Sequence, residues 1–108
     1  MQFLVIAYDG TDPEALDRRL AVRPKHIELG DKMRDAGQSL YGGAILDDND
    51  KMIGSVIICQ FDSRAQLDEW LKVEPYITGN VWQKVEVQPF RVGPSFAKMK
   101  LVDVVSGS

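Results

Sequence analysis

The chain has 108 residues, of which 44% are hydrophobic and 27% charged, and its formal net charge is −3. That is room for one domain and not two, and the balance is that of a folded chain rather than a disordered one. An acidic chain without a concentrated basic patch is repelled by phosphate backbones, so nucleic acid is not an expected partner.

Phe3-Leu4-Val5-Ile6-Ala7-Tyr8 is an apolar, β-branched run closed by Asp9-Gly10, and it predicts a strand. Thr11-Asp12-Pro13-Glu14 then announces a helix, with Thr11 or Asp12 as its cap, Pro13 in the first turn and Glu14 at the positive end of the dipole. Helical spacing continues to Ala36, and Gly37 suits the left-handed residue that closes a helix. Pro24 should kink this helix or split it near Val22, because proline removes a main-chain donor and crowds the preceding turn.

The next strand, Ser39 to Leu46, carries Gly42-Gly43, expected to mark a bulge or a close backbone approach. Asp47-Asp48-Asn49-Asp50 is a turn joining it to a strand from Met52 to Phe61, which makes a hairpin. Those aspartates superficially suggest a calcium loop, but the sixth-position glycine and terminal glutamate are missing. Ser63 and Gln66 form a capping-box pattern, and the helix they open runs to about Glu74 and stops at Pro75. A turn around Thr78-Gly79-Asn80 leads to the last clear strand, Trp82 to Val92, broken by Gly93-Pro94. The expected division is a domain over 1–93 and a tail over 94–108. Ser95 to Val105 would add a strand or an arm, and the last three residues would fray.

The order β-α-β-β-α-β gives an α+β, ferredoxin-like sandwich: an antiparallel sheet with two helices on one face. Yet both faces of the strands are apolar, since Phe3, Val5 and Ala7 alternate with Leu4, Ile6 and Tyr8. A half-exposed sheet would alternate apolar with polar. The second face therefore needs a cover, either a face-to-face homodimer or the tail folded back. Cys59 is the single cysteine, so no internal disulfide and no Cys-based zinc cluster are possible. Its apolar surroundings predict a small buried hydrophobe. Trp70 and Trp82 read as core or interface residues. Met1-Gln2-Phe3-Leu4 lacks a signal pattern, and no apolar run nears the ~20 residues that span a bilayer, so the chain reads as cytoplasmic.

His26 is the only histidine. It shares a helical stripe with Val22, Leu29, Met33 and Ala36, and Glu74 similarly follows Leu67, Trp70 and Leu71. Charged groups avoid such stripes unless paired. If both stripes face one side of the sheet, the carboxylate can orient the imidazole and raise its basicity, making a general acid/base pair. The plainer reading is a satisfied structural histidine and a glutamate at a solvated helix end. Arg23 is either a solvated surface arginine or a holder for an anionic substrate, and the backbone of Gly42-Gly43 lets a ligand approach. No phosphate loop, dinucleotide fingerprint or metal-ligand cluster is evident, so neither a cofactor nor a metal is expected.

These residues resemble the YCII-related family. The likeness runs from Phe3–Tyr8 through Arg23 and His26, then Leu29, Met33 and Gly37. It continues through Gly42-Gly43, the helix from Ser63 to Val73, Glu74-Pro75-Tyr76 and Gly79, and closes on Pro89-Phe90. The resemblance implies a dimeric α+β barrel with a histidine–aspartate pair in a cleft beside the sheet. His26 matches the histidine. Glu74 stands where the family's Asp-Pro motif has aspartate, which keeps the charge and adds a methylene. Similar proteins include a dehydrochlorinase, and the wider superfamily holds muconolactone isomerases and small monooxygenases. The resulting expectation is a cofactor-independent lyase or isomerase for a small, cyclic or aromatic organic acid, with His26 and Glu74 catalytic and Arg23, Gly42 and Gly43 binding substrate. The alternative is a domain that binds a small molecule without changing it. An RNA-recognition domain shares the element order but needs exposed aromatics on its central strands, where this chain has Ile53 to Phe61, mostly aliphatic.

Overall fold

The computed structural model describes residues 1–97. Its elements are β1 (Gln2–Asp9), α1 (Ala15–Asp35), β2 (Ser39–Leu46), β3 (Met52–Gln60), α2 (Arg64–Val73), α3 (Pro75–Thr78) and β4 (Trp82–Phe90). The strands form one sheet in the order β2-β3-β1-β4, every neighbouring pair antiparallel. The two βα units thus interleave, which is the ferredoxin-like arrangement expected from the element order.

The strand pattern decides the layers. Phe3, Val5, Ala7 and Asp9 are buried toward the helices, and so are Ser55, Ile57 and Cys59 opposite them on β3. Met33, Leu67, Trp70, Tyr76, Val81 and Trp82 complete that core. On the outer face, Leu4, Ile6 and Tyr8 of β1 lie beside Val56 and Ile58 of β3, with Tyr41 beyond them on β2. These side chains are only partly buried or exposed. The main chain after β4 crosses one corner of this face, where the Val92 N–H donates to Gln2 Oε1 at 2.8 Å. Of the expected strand or arm from Ser95 to Val105, only Ser95–Ala97 fall among the described residues, in a turn closed by Phe96 N–H to the Gly93 carbonyl.

Several local expectations are corrected. Pro24 does not split α1, which runs through it without a break. Pro24 and Leu20, four residues before it, are both exposed, so the carbonyl deprived of a partner faces water. Asp12 does not cap the helix. Its carboxylate takes both terminal nitrogens of Arg18 at 2.6 and 2.7 Å, which holds it below the usual carboxylate range, and α1 begins later, at Ala15, with no side-chain cap. The C-terminus follows expectation: Gly37 has φ 77°, its N–H donates to Arg34, and Gln38 N–H donates to Met33, a Schellman closure. The β2 bulge falls at Leu40, between Ser39 and Tyr41, and not at Gly42-Gly43, which pair regularly with Ile57 and Val56. The β2–β3 turn is held by Asp47, whose Oδ1 accepts from the N–H groups of Asn49 and Lys51. Ser63 caps α2 by accepting from Gln66 N–H at 3.2 Å.

Cys59 is fully buried, and burial pushes its thiol from the ordinary 9.0 up to about 11. The folded chain therefore keeps a proton that the unfolded chain gives up, so the stability contributed by this group is intact below pH 9 and drains away as pH rises toward 11. Denaturant titrations across that window should show falling stability, and Cys59→Ala should flatten the fall. An unchanged slope in the variant would refute the assignment.

Candidate active site

Glu74 owes its position to Pro75. A residue before proline is steered away from helical dihedrals, and Glu74 adopts φ −63°, ψ 123°, ending α2 and opening α3. It is therefore not on the α2 stripe, as its spacing suggested, but at an extended joint between two helices. The short α3 was not foreseen from the sequence. At this joint the Glu74 side chain turns inward, with only 2% of its surface exposed, and accepts the Tyr76 N–H at 3.2 Å as the cap of α3.

The same oxygen meets His26. His26 projects from the middle of α1, and its Nδ1 lies within hydrogen-bond distance of Glu74 Oε1, at 2.5 Å. An ionised Glu74 carboxylate can only accept, so the shared proton belongs to His26 Nδ1, and in the neutral imidazole the lone pair is then on Nε2. The imidazole is 21% exposed and borders open space. Its plane lies 15° from that of the Tyr76 ring at a centroid separation of 3.9 Å, and Trp82 stands edge-on at 6.0 Å.

Below this pair lies a buried ionic network. Arg19, seven residues before His26 on α1, binds both oxygens of Asp9 at 3.0 and 3.1 Å and donates to Ser55 Oγ at 2.9 Å. Trp82 Nε1 donates to the same hydroxyl at 3.2 Å. The Arg19 guanidinium lies 4.6 Å from the centre of the Tyr76 ring, a cation–π contact. Burial lifts the Asp9 carboxyl above its usual range, with Arg19 opposing, and burial also raises the Tyr76 phenol.

A cleft of about 580 Å3 opens between α1 and β2, with Ser55 and Ile57 of β3 beneath it. Its lining includes the five candidate site residues from the sequence: His26, Glu74, Arg23, Gly42 and Gly43. Arg23 is exposed at the rim. Of the three arginines that line the cleft, Arg19 is bound to Asp9 and Arg34 to Asp31 and Asp35, whereas Arg23 makes no ion pair among the described residues. A Cβ on Gly42 would meet only ordinary contacts, the nearest at 3.7 Å, and one on Gly43 would meet nothing within 4 Å. The glycines thus leave space instead of allowing close packing within the chain. Among the described residues no three His, Cys, Asp or Glu side chains converge as a metal site would need, and no helix is long and apolar enough to cross a membrane.

Residues 1–91 match the YCII-related domain. The chain belongs to the YCII-related family. Protein YciI of Escherichia coli O6:H1 is 32% identical to it over 97 residues, covering 84% of this chain and 97% of that protein. Among solved structures, the fold is similar to that of the 5-chloro-2-hydroxyhydroquinone dehydrochlorinase of Burkholderia phenoliruptrix AC1100, determined in complex with 2,5-dihydroxybenzoquinone. The TM-score is 0.75 at 20% identity, over 88% of this chain and 98% of that one. A dimeric ferredoxin-like protein of unknown function from Jannaschia sp. CCS1 shares the fold at a TM-score of 0.50 and 13% identity, over 84% and 98% of the two chains.

Sequence reasoning missed Arg19, Asp9, Ser55 and Tyr76. Two signals were present. Asp9 continues the inward series Phe3, Val5, Ala7, and Arg19 lies three residues before Val22 on the His26 stripe. An acid and a base on two inward faces is the pattern of a buried pair.

Proposed function

We propose that this chain is a cofactor-independent enzyme of the lyase or isomerase type, acting on a small cyclic or aromatic organic acid in the cleft between α1 and β2. The observation that carries the reading is the His26–Glu74 contact, a carboxylate almost wholly withdrawn from water and bonded to an imidazole that borders the cleft. His26 Nε2 takes a proton from the substrate and returns it at another position, or removes it as a leaving group departs. Glu74 fixes the reactive tautomer and stabilises the imidazolium formed in transit. Arg23, the cleft arginine without an ion pair among the described residues, holds the substrate's anionic group. The Gly42-Gly43 backbone supplies the opposite wall. Elimination of this kind is the chemistry named for the dehydrochlorinase that shares the fold.

The test is incubation with a panel of hydroxylated, halogenated and lactone-forming ring acids, followed by mass spectrometry. Conversion by the native chain and none by Gly42→Val is the expected result. Valine is a good strand former and its Cβ meets only ordinary contacts at this position, so the variant should melt near the native protein while its side chain occupies the cleft. A ligand that binds and is recovered unchanged from the native chain would instead mark a binding domain.

The working form we propose is a cytoplasmic homodimer joined through the outer sheet face. Leu4, Ile6, Val56 and Ile58 form a contiguous apolar surface there, and the Jannaschia protein of the same fold is described as dimeric. Ile58→Lys places a charge in that surface and should give a monomer in sedimentation equilibrium. A native chain that sediments as a monomer would remove the dimer from the proposal.

A further inference from the structure

We infer that Tyr76, braced by the buried Asp9–Arg19 pair, is a positioning residue that sets the plane of the His26 ring. This deepens the proposed function and rests on the His26–Glu74 pair. Glu74 can determine which edge of the imidazole it receives, but one hydrogen bond leaves the ring free to tilt about that contact. The second restraint is the Tyr76 ring, nearly parallel to the imidazole at 3.9 Å. Tyr76 is itself fixed from three sides. Its N–H is bonded to Glu74, Trp82 packs against its ring at 5.5 Å, and the Arg19 guanidinium lies over the ring.

Arg19 does not move, because Asp9 on β1 and Ser55 on β3 hold its two terminal nitrogens. The sheet therefore determines, through Arg19 and Tyr76, the angle at which a helix presents its imidazole. Trp82 closes the frame by bonding Ser55 and standing edge-on to both rings. Tyr76 touches no reacting atom in this scheme. It acts by keeping Nδ1 in line with the carboxylate and Nε2 toward the cleft.

The tautomer of His26 tests this without any substrate. Nitrogen-15 spectra of the full chain should show neutral His26 protonated at Nδ1, the form that is less common in free histidine. Ring protons shifted upfield by Tyr76, with direct Overhauser contacts between the two rings, should accompany it. Tyr76→Phe should retain all of these, since the stacking face is unchanged. Tyr76→Leu should lose the upfield shift and show a mixture of tautomers, and Asp9→Asn should show a partial version of that loss. A native chain protonated at Nε2 would sink the His26–Glu74 pair and the proposed function together. A native chain protonated at Nδ1 whose Tyr76→Leu variant keeps that tautomer unmixed would overturn the positioning role alone. Should Tyr76→Leu fail to fold, the native chain still decides: no ring-to-ring Overhauser contact means no stack and no positioning.

Discussion

His26→Ala is expected to lower the turnover of any substrate found for this chain by about 10²- to 10⁴-fold, the range typical of losing a general acid/base. The loss should fall on kcat, since Arg23 and the cleft walls remain to bind. The fold should survive, because the imidazole sits at a partly open position on α1. Glu74→Gln should also slow turnover, for a different reason. The amide can still accept from Nδ1, but it carries no charge to stabilise the imidazolium. Glu74→Gln should therefore lower kcat with KM little changed, and by less than His26→Ala does. Wild-type rates in His26→Ala would end the mechanism.

The second large effect is on stability. Asp9 and Arg19 form a buried ion pair, with side chains 2% and 4% exposed. Removing one partner of such a pair leaves a charge out of water with no counter-ion, at a cost of about 3–5 kcal/mol. Total stability for a domain this size is about 5–15 kcal/mol, so Asp9→Asn or Arg19→Met should shift the urea midpoint steeply. The double variant should recover part of the loss, because the uncompensated charge disappears with the second substitution. Two single losses that simply add, by a double-mutant cycle, would show that the two side chains are not coupled.

How much of this was legible in the sequence differed by level. The element order gave the architecture, because strand and helix signals are local properties that survive into the tertiary structure. His26 was legible for the same reason, as a polar residue on an apolar stripe. Glu74 was identified for an incomplete reason. Its helical spacing is real, but Pro75 takes it off the helix, and the extended dihedrals are what turn it inward. The bulge at Leu40 carries no glycine and left no local mark. Tyr76 entered only through the Glu74-Pro75-Tyr76 likeness, with no role assigned, because α3 is four residues long, too short for periodicity to register. Tertiary pairing, which no spacing encodes, joins it to Arg19 and His26.

Among the described residues, β2 is bonded along one side only, to β3. It nevertheless forms a wall of the cleft that the His26–Glu74 pair also lines. Under the proposed function, chemistry and selectivity are thereby housed on separately tethered parts. Substitutions along this outer ribbon can resize the entrance without disturbing the imidazole or its carboxylate. A lineage working in the proposed way could reach new substrates through β2 alone while retaining its reaction.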